Sequence, residues 1–183
     1  MAAGIDPRVA RSRAALTAAL LALAEEKDFA EITIGDIAER AAVGYATFFR
    51  HFRSKDALLA ATADTLIDEL LAVLLPSLQQ DDTRGASIAL CRFVETHRSI
   101  CRPLLAGGAE ANVRRDMAAR AVARSAELDH PRAPGIPREL LVSHATTAAL
   151  GLLAWWLERG EAFDAEAMGE IIDRLVMRPV QAG

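Results

Sequence analysis

Between Ile32 and Leu59 the chain repeats one device twice within thirty residues: a short apolar periodicity of helical spacing, a corner of small residues, and a second short periodicity. Ile34, Ile37, Ala38 and Ala41 fall on one face of a helix over about residues 34 to 41, and Thr33 with Asp36 three residues later has the pattern that caps a helix N-terminus. Ala42-Val43-Gly44 then breaks the run, Gly44 being free to take backbone angles closed to other residues. Phe48 and Phe52, four apart, mark the buried face of the second helix.

The face opposite Phe48 and Phe52 carries Tyr45, Ala46, Thr47, Phe49, Arg50 and His51. Two helices joined by a turn of three or four residues, apolar within and rich in donors without, form the helix-turn-helix scaffold that lays one helix in a major groove of DNA. A net charge of −4 looks unsuited to such a partner until it is mapped along the chain. Residues 1 to 60 hold eight basic and eight acidic side chains, whereas 61 to 183 hold thirteen against seventeen. From 44 to 55 stand Arg50, Arg53 and Lys55 with no acid among them. Local charge meets phosphate, and the sum over the chain mainly limits non-specific attraction. By themselves these three bases describe only a solvated face; on and just after a helix-turn-helix they point to phosphate.

The wider pattern is more specific than the motif. Arg8, Arg11 and Arg13 on an N-terminal helix, then Phe29 and Ile32-Thr33-Ile34, then Val43-Gly44-Tyr45-Ala46-Thr47-Phe48-Phe49-Arg50-His51-Phe52, then Ser54-Lys55-Asp56-Ala57-Leu58, resemble the tetracycline-repressor (TetR) family over about residues 8 to 60. Beyond residue 60 the likeness is an all-helical outline, with Ala154-Trp155-Trp156-Leu157-Glu158 and a final amphipathic helix similar to the end of that family's C-terminal domain. The resemblance implies a dimeric, ligand-responsive repressor. Three positions depart from the family pattern: Ala42 where many members carry glycine, Gly44 where serine is common, and Phe49 where tyrosine is common. The last removes a hydroxyl that in relatives often touches a phosphate.

The rest of the chain reads as helix. With 52% hydrophobic residues, 5% aromatics, abundant alanine and leucine, and no sustained alternation of apolar and polar residues, the expected fold is all-α. A three-helix DNA-binding domain over 1 to 55 precedes a larger helical ligand-binding and dimerisation domain over 56 to 183, and 183 residues suffice to bury a sizeable core. Ser54 caps a long helix to about 79, the natural lever between the domains, with Leu58, Leu59, Thr62, Leu66, Ile67, Leu70, Leu71 and Leu74 inward; Pro76 kinks or ends it. Asp81-Asp82-Thr83 opens a helix running towards Ile100, and Pro103 and Gly107-Gly108 punctuate the next stretch. A polar, arginine-rich helix covers about 109 to 128, and the three prolines and glycine of 130 to 137 make a loop. Two helices, about 138 to 159 and 164 to 177, flank Gly160.

An alternative for the N-terminus is a signal peptide, since Arg8, Arg11 and Arg13 precede an apolar stretch ending in Ala22-Leu23-Ala24. A cytoplasmic helix is the better reading: Asp6-Pro7 offers a cap and first-turn proline, and Leu16, Leu20 and Leu23 share a face. No apolar run is expected to reach the length of a membrane span.

Within a half-site of DNA, Tyr45, Ala46 and Thr47 suit base edges, with Ala46 or the Thr47 methyl against a thymine methyl, while Gly44 shapes the corner and Phe49 shares the exposed face. Thr33, His51 and Lys55 suit phosphate, as do backbone amides at helix N-termini and Arg50 unless it swings onto guanine. The last two long helices have more apolar surface than one partner can cover, which on pattern alone means either plain core packing or a subunit contact. The family resemblance favours a homodimer with a four-helix bundle across a two-fold axis, naming Ala149, Leu153, Trp156, Met168, Ile171, Ile172 and Leu175 at the interface. Two recognition helices about 34 Å apart would then require an inverted-repeat operator.

Phe93, His97, Cys101, Met117, His144, Leu152 and Trp155 could line a mainly apolar effector pocket, although each has core packing or a surface position as the plainer role. Cys91 and Cys101 read as buried free thiols rather than a redox pair. An enzyme is disfavoured, because the chain has no Glu-x-x-His pair, Cys-x-x-Cys, phosphate-cradling glycine loop or Gly-x-Ser-x-Gly elbow, and His51, His97, His130 and His144 are scattered. No metal and no cofactor is expected. The competing reading is a helical ligand-binding or protein-interaction module without specific DNA binding, which would have spoiled the recognition helix.

Overall fold

The structure, a computed structural model, describes residues 7–106, 110–125, 135–159 and 163–181. Among these every regular element is a helix and there is no strand. It comprises α1 (Pro7–Glu26), a 3-10 turn (Phe29–Glu31), α2 (Ile34–Arg40), α3 (Tyr45–His51), α4 (Lys55–Gln79), α5 (Thr83–Thr96), α6 (Arg98–Ala106), α7 (Glu110–Ser125), α8 (Arg138–Arg159), α9 (Ala165–Ile172), a π turn (Asp173–Met177) and α10 (Arg178–Gln181). Two compact units divide at Thr65 and Leu66, ten residues beyond the boundary expected at residue 55. The reason is burial: Leu58, Leu59 and Thr62, on the first turns of α4, are core residues at 0 to 3% exposure. The Thr62 hydroxyl donates to the Leu58 carbonyl at 2.9 Å, which lets a polar side chain lie there without an open hydrogen bond.

In the N-terminal unit Leu16, Leu20 and Leu23 of α1 join Ile37 and Ala38 of α2 and Phe48 of α3 in the buried set, with Ile32 and Phe52 from the flanking segments. The apolar stretch that imitates an export signal is thus the core face of α1. Pro7 opens that helix; Asp6, named as its cap, lies outside the described residues.

In the C-terminal unit α5 packs on α9, α7 on α8, and α6 on α8. Gly169 lies so close to α5 that a Cβ there would come within 2.6 Å of the Ile88 Cα, so the two backbones touch only because residue 169 has no side chain. Trp156, Leu153, Leu157, Met168 and Ile172 fill the centre at 2% exposure or less. The helix expected to run from residue 83 towards Ile100 is broken at His97, whose φ of −102° and ψ of 28° end α5. Asp82 caps the start of α5 by accepting from the Gly85 amide at 2.8 Å.

Pro76 lies inside α4 rather than at its end, and Pro103 inside α6. Three residues from the terminus, Pro76 can break little of the hydrogen-bond ladder that remains. The glycines at 107, 108 and 160 and the prolines at 131 and 134 lie outside the described residues.

One expectation is corrected by α8. The helix is 22 residues long, with mean hydropathy 1.5 over its most apolar window, which is long and apolar enough to cross a membrane by length and composition. Leu150, Leu153, Trp156 and Leu157 are instead placed in the core of its own unit. Cys91 and Cys101 are free thiols, both buried, and burial pushes each up to about 12, so neither is a thiolate at neutral pH.

Candidate nucleic-acid interface

The seven residues of α3 are too few to hold their own direction, so the geometry of the candidate site depends on what braces them. Phe48 at 0% and Phe52 at 4% exposure root the helix in the core. At its C-terminal end Arg13 of α1 donates from Nη1 to the His51 carbonyl at 3.3 Å while its guanidinium covers the Phe52 ring at 4.5 Å. A cation at that end complements the helix dipole as well as satisfying a free carbonyl.

The turn before α3 has Ala42 at φ 53°, the left-handed region that favours glycine, and this is the position where many such motifs carry one. Gly44, by contrast, sits at φ −69° in extended backbone as the N-cap of α3 and uses none of its special freedom.

The first helix of the motif is set by charge. Thr33 Oγ1 accepts from the Asp36 amide at 3.1 Å, and the Thr33 amide donates back to Asp36 Oδ2 at 2.9 Å, closing the capping box expected from the sequence. Lys27 donates to the same carboxylate at 2.7 Å. That ammonium, then the Thr33 bonds, hold the Asp36 carboxyl down at about 2. Arg40 meets Glu26 in a two-pronged pair at 2.9 and 2.8 Å, tying the end of α2 to the end of α1.

Lys55 is turned inward. Its ammonium donates to the carbonyls of Phe29 at 2.7 Å, Ile32 at 2.8 Å and Ala30 at 3.4 Å, and lies 4.3 Å from the centre of the Phe29 ring. These carbonyls end the 3-10 turn, so the lysine clamps it against the start of α4. A phosphate contact by this group requires it to leave those partners.

The residues left outward on α3 are Tyr45 at 59% and Phe49 at 46% exposure, with Ala46 and Arg50 also exposed and Thr47 and His51 half-buried. Arg50 donates from Nη2 to Thr47 Oγ1 at 2.8 Å. Thr33 is exposed at the start of α2 with its hydroxyl engaged in the cap. All nine residues named from the sequence for DNA therefore lie in one unit. The bracing by Arg13, Lys27 and Glu26 escaped sequence reasoning, since their partners His51, Asp36 and Arg40 lie 38, 9 and 14 positions away.

The effector residues are less concentrated. The Phe93 and His97 rings meet at a tilt with 4.5 Å between centres and line an open groove of about 550 Å³ with Val73, Ile88, Arg92 and Glu166. Cys101, Met117, His144, Leu152 and Trp155 do not line it: Cys101 is core, Met117 and Leu152 are half-buried, and His144 and Trp155 are exposed.

The proposed interface set divides as well. Ala149, Leu153, Trp156, Met168 and Ile172 are buried within the chain itself, and a second chain cannot touch side chains already covered. Ile171, half-buried, and Leu175, 64% exposed, stay at the surface.

Among the described residues the chain is helical and strand-free, with a braced helix-turn-helix in its N-terminal unit and a larger helical C-terminal unit. The family model for bacterial regulatory proteins of the tetR family matches residues 16–62. The uncharacterized HTH-type transcriptional regulator YxbF of Bacillus subtilis (strain 168) is 41% identical over 75 residues, 40% of this chain, and the match spans 19% of that protein's length. Among solved structures, RolR in complex with resorcinol superposes with a TM-score of 0.71 at 18% identity, covering 94% of this chain and 89% of RolR. The TetR family repressor AlkX from Dietzia sp. strain DQ12-45-1b gives 0.68 at 12% identity, covering 92% and 96%. The likeness to the tetR family is carried by residues 16–62, within the N-terminal unit.

Proposed function

We propose that the protein is a sequence-specific DNA-binding transcriptional regulator, a repressor that binds an inverted-repeat operator as a homodimer in the cytoplasm and is released by a small apolar effector. The observation that carries this reading is the exposed face of α3: Tyr45, Ala46, Phe49 and Arg50 stand out from a helix held by Arg13 at one end and the Phe48 and Phe52 rings beneath, in a stretch from 44 to 55 without an acid. Bracing of this kind suits a helix that must enter a groove in one orientation. Arg50, His51, Arg53 and Thr33 are assigned to phosphate or to the base next to it; Lys55 serves the interface by holding the 3-10 turn and the start of α4.

For the second subunit the available surface is the outer face of the last helices: Thr147, Gly151, Leu152 and Trp155 on α8 with Ile171 and Leu175 beyond it. Gly151 supports this, since a Cβ there would meet nothing within 4 Å and another backbone can approach closely. The effector assignment draws support from RolR, which holds resorcinol in the same fold. Effector binding would release DNA only by favouring an arrangement in which the two recognition helices miss successive grooves. The decisive experiment is selection of bound duplexes from a random pool by the purified protein. Enrichment of an inverted repeat is expected; recovery of no preferred sequence by folded protein would overturn the reading.

A further inference from the structure

The outward face of α3 is apolar where it begins and basic where it ends. Tyr45 and Phe49 meet edge to face at 5.2 Å, and Phe49 in turn contacts the fully buried Phe48 ring at 5.4 Å. The two exposed rings are therefore a fixed ridge, rooted in the core, with Ala46 beside them. Thr47, the neighbouring polar group, has its hydroxyl occupied by Arg50. A small unit that buries Phe48 and Phe52 of its motif while leaving two further aromatic rings half in water leaves a surface that core packing does not explain.

In the major groove the one apolar mark on a base edge is the C5-methyl of thymine, and alanine and phenylalanine are the side chains that contact it. The bases Arg50 and Arg53, both exposed on the same segment, complement the phosphates to either side. We infer that Tyr45, Ala46 and Phe49 form a thymine-methyl reader, so that each half-site carries thymines at the positions facing this ridge and is chosen there by shape and methyl contact rather than by hydrogen bonding. The inference rests on the DNA-binding reading and adds to it the chemical class of base recognised.

The test takes the duplex recovered by selection and replaces its thymines one at a time by uracil, which pairs identically but lacks the methyl. Loss of about three- to tenfold in affinity is expected at one or two positions of each half-site. Phe49→Ala should bind the thymine and uracil duplexes equally at the position it reads, with the salt dependence of binding unchanged because no phosphate contact is lost. Tyr45→Ala should do the same at an adjacent position. A selected duplex bound equally well with thymine or uracil everywhere overturns this inference alone. Failure to select any duplex overturns the DNA-binding reading and this inference together.

Discussion

The two units solve the problem of holding helices together with a different balance of polar and apolar contact. The N-terminal unit has a small core and adds polar struts across its helices: Lys27 to Asp36, Arg40 to Glu26, Arg13 to the His51 carbonyl, and Lys55 to the carbonyls of Phe29 and Ile32. The C-terminal unit has cross-helix polar contacts as well, Arg84 to Glu170, Arg120 to Asp68 and Arg98 to the Leu157 carbonyl, but sets them around a broad apolar interior at Trp156, Leu157 and Met168. Among the described residues Ser87 Oγ has no hydrogen-bond partner, and Asp173, 1% exposed in the π turn, is paired with Arg178 Nε at 2.7 Å without hydrogen-bond geometry at either carboxylate oxygen. The difference is one of proportion: a seven-residue helix over a small core depends on directional bonds for its orientation, whereas the larger unit adds its polar contacts to a much broader buried apolar area.

The largest test of this division is a pair of core truncations. Phe48→Ala and Trp156→Ala should each remove about 3–5 kcal/mol, the first from the N-terminal and the second from the C-terminal unit. Chemical denaturation followed by tryptophan fluorescence and by circular dichroism should show two transitions, each variant moving one. A single transition shifted by both would break the comparison.

Next in size, Leu175→Glu places a charge on the proposed dimer surface and should weaken self-association at least about thirtyfold by analytical ultracentrifugation, with helix content intact. An unchanged dimer would move the interface elsewhere.

Lys55→Met removes the ammonium from three carbonyls and should cost the N-terminal unit about 1–3 kcal/mol, weakening DNA binding while leaving the slope of affinity against salt unaltered. A slope flatter by about one counterion would show instead that Lys55 leaves its carbonyls to meet a phosphate.

Ala42→Gly should stabilise the same unit by up to about 1 kcal/mol, because relief of a left-handed alanine exceeds the entropy that glycine costs. The smallest effect concerns pH. The Asp36 carboxyl ionises at about 2 in the folded protein against an ordinary 3.8, so its contribution is complete above that ordinary value and is lost as pH falls towards 2. Asp36→Asn should flatten the acid limb of a stability profile over that window alone.

Much of the N-terminal unit was legible because its signals are local. Phe48 and Phe52 are both buried as their spacing implied, although Phe52 stands in extended backbone just past the end of α3 rather than on it, and Thr33 with Asp36 formed the expected capping box. Legibility failed where an apolar pattern could be satisfied in two ways. Leu153, Met168 and Ile172 have the periodicity of a subunit contact and of a core alike, and burial at 0% assigned them to the core. His97 carried no mark of a helix end, yet its backbone divides α5 from α6. Composition likewise could not tell α8, apolar enough to span a membrane, from the central helix of a bundle.

By itself the sequence determined the all-helical class, the helix-turn-helix and its inner and outer faces, since these follow from periods of three and four residues and from caps whose partners lie within one turn. Only the tertiary structure decided which charges work as struts, which apolar faces are already covered, and that Lys55 points inward while Tyr45 and Phe49 point out. Those outcomes depend on contacts between residues tens of positions apart, as when Lys55 finds the carbonyl of Phe29 or Gly169 admits the backbone of Ile88, and no local pattern carries the distance between them.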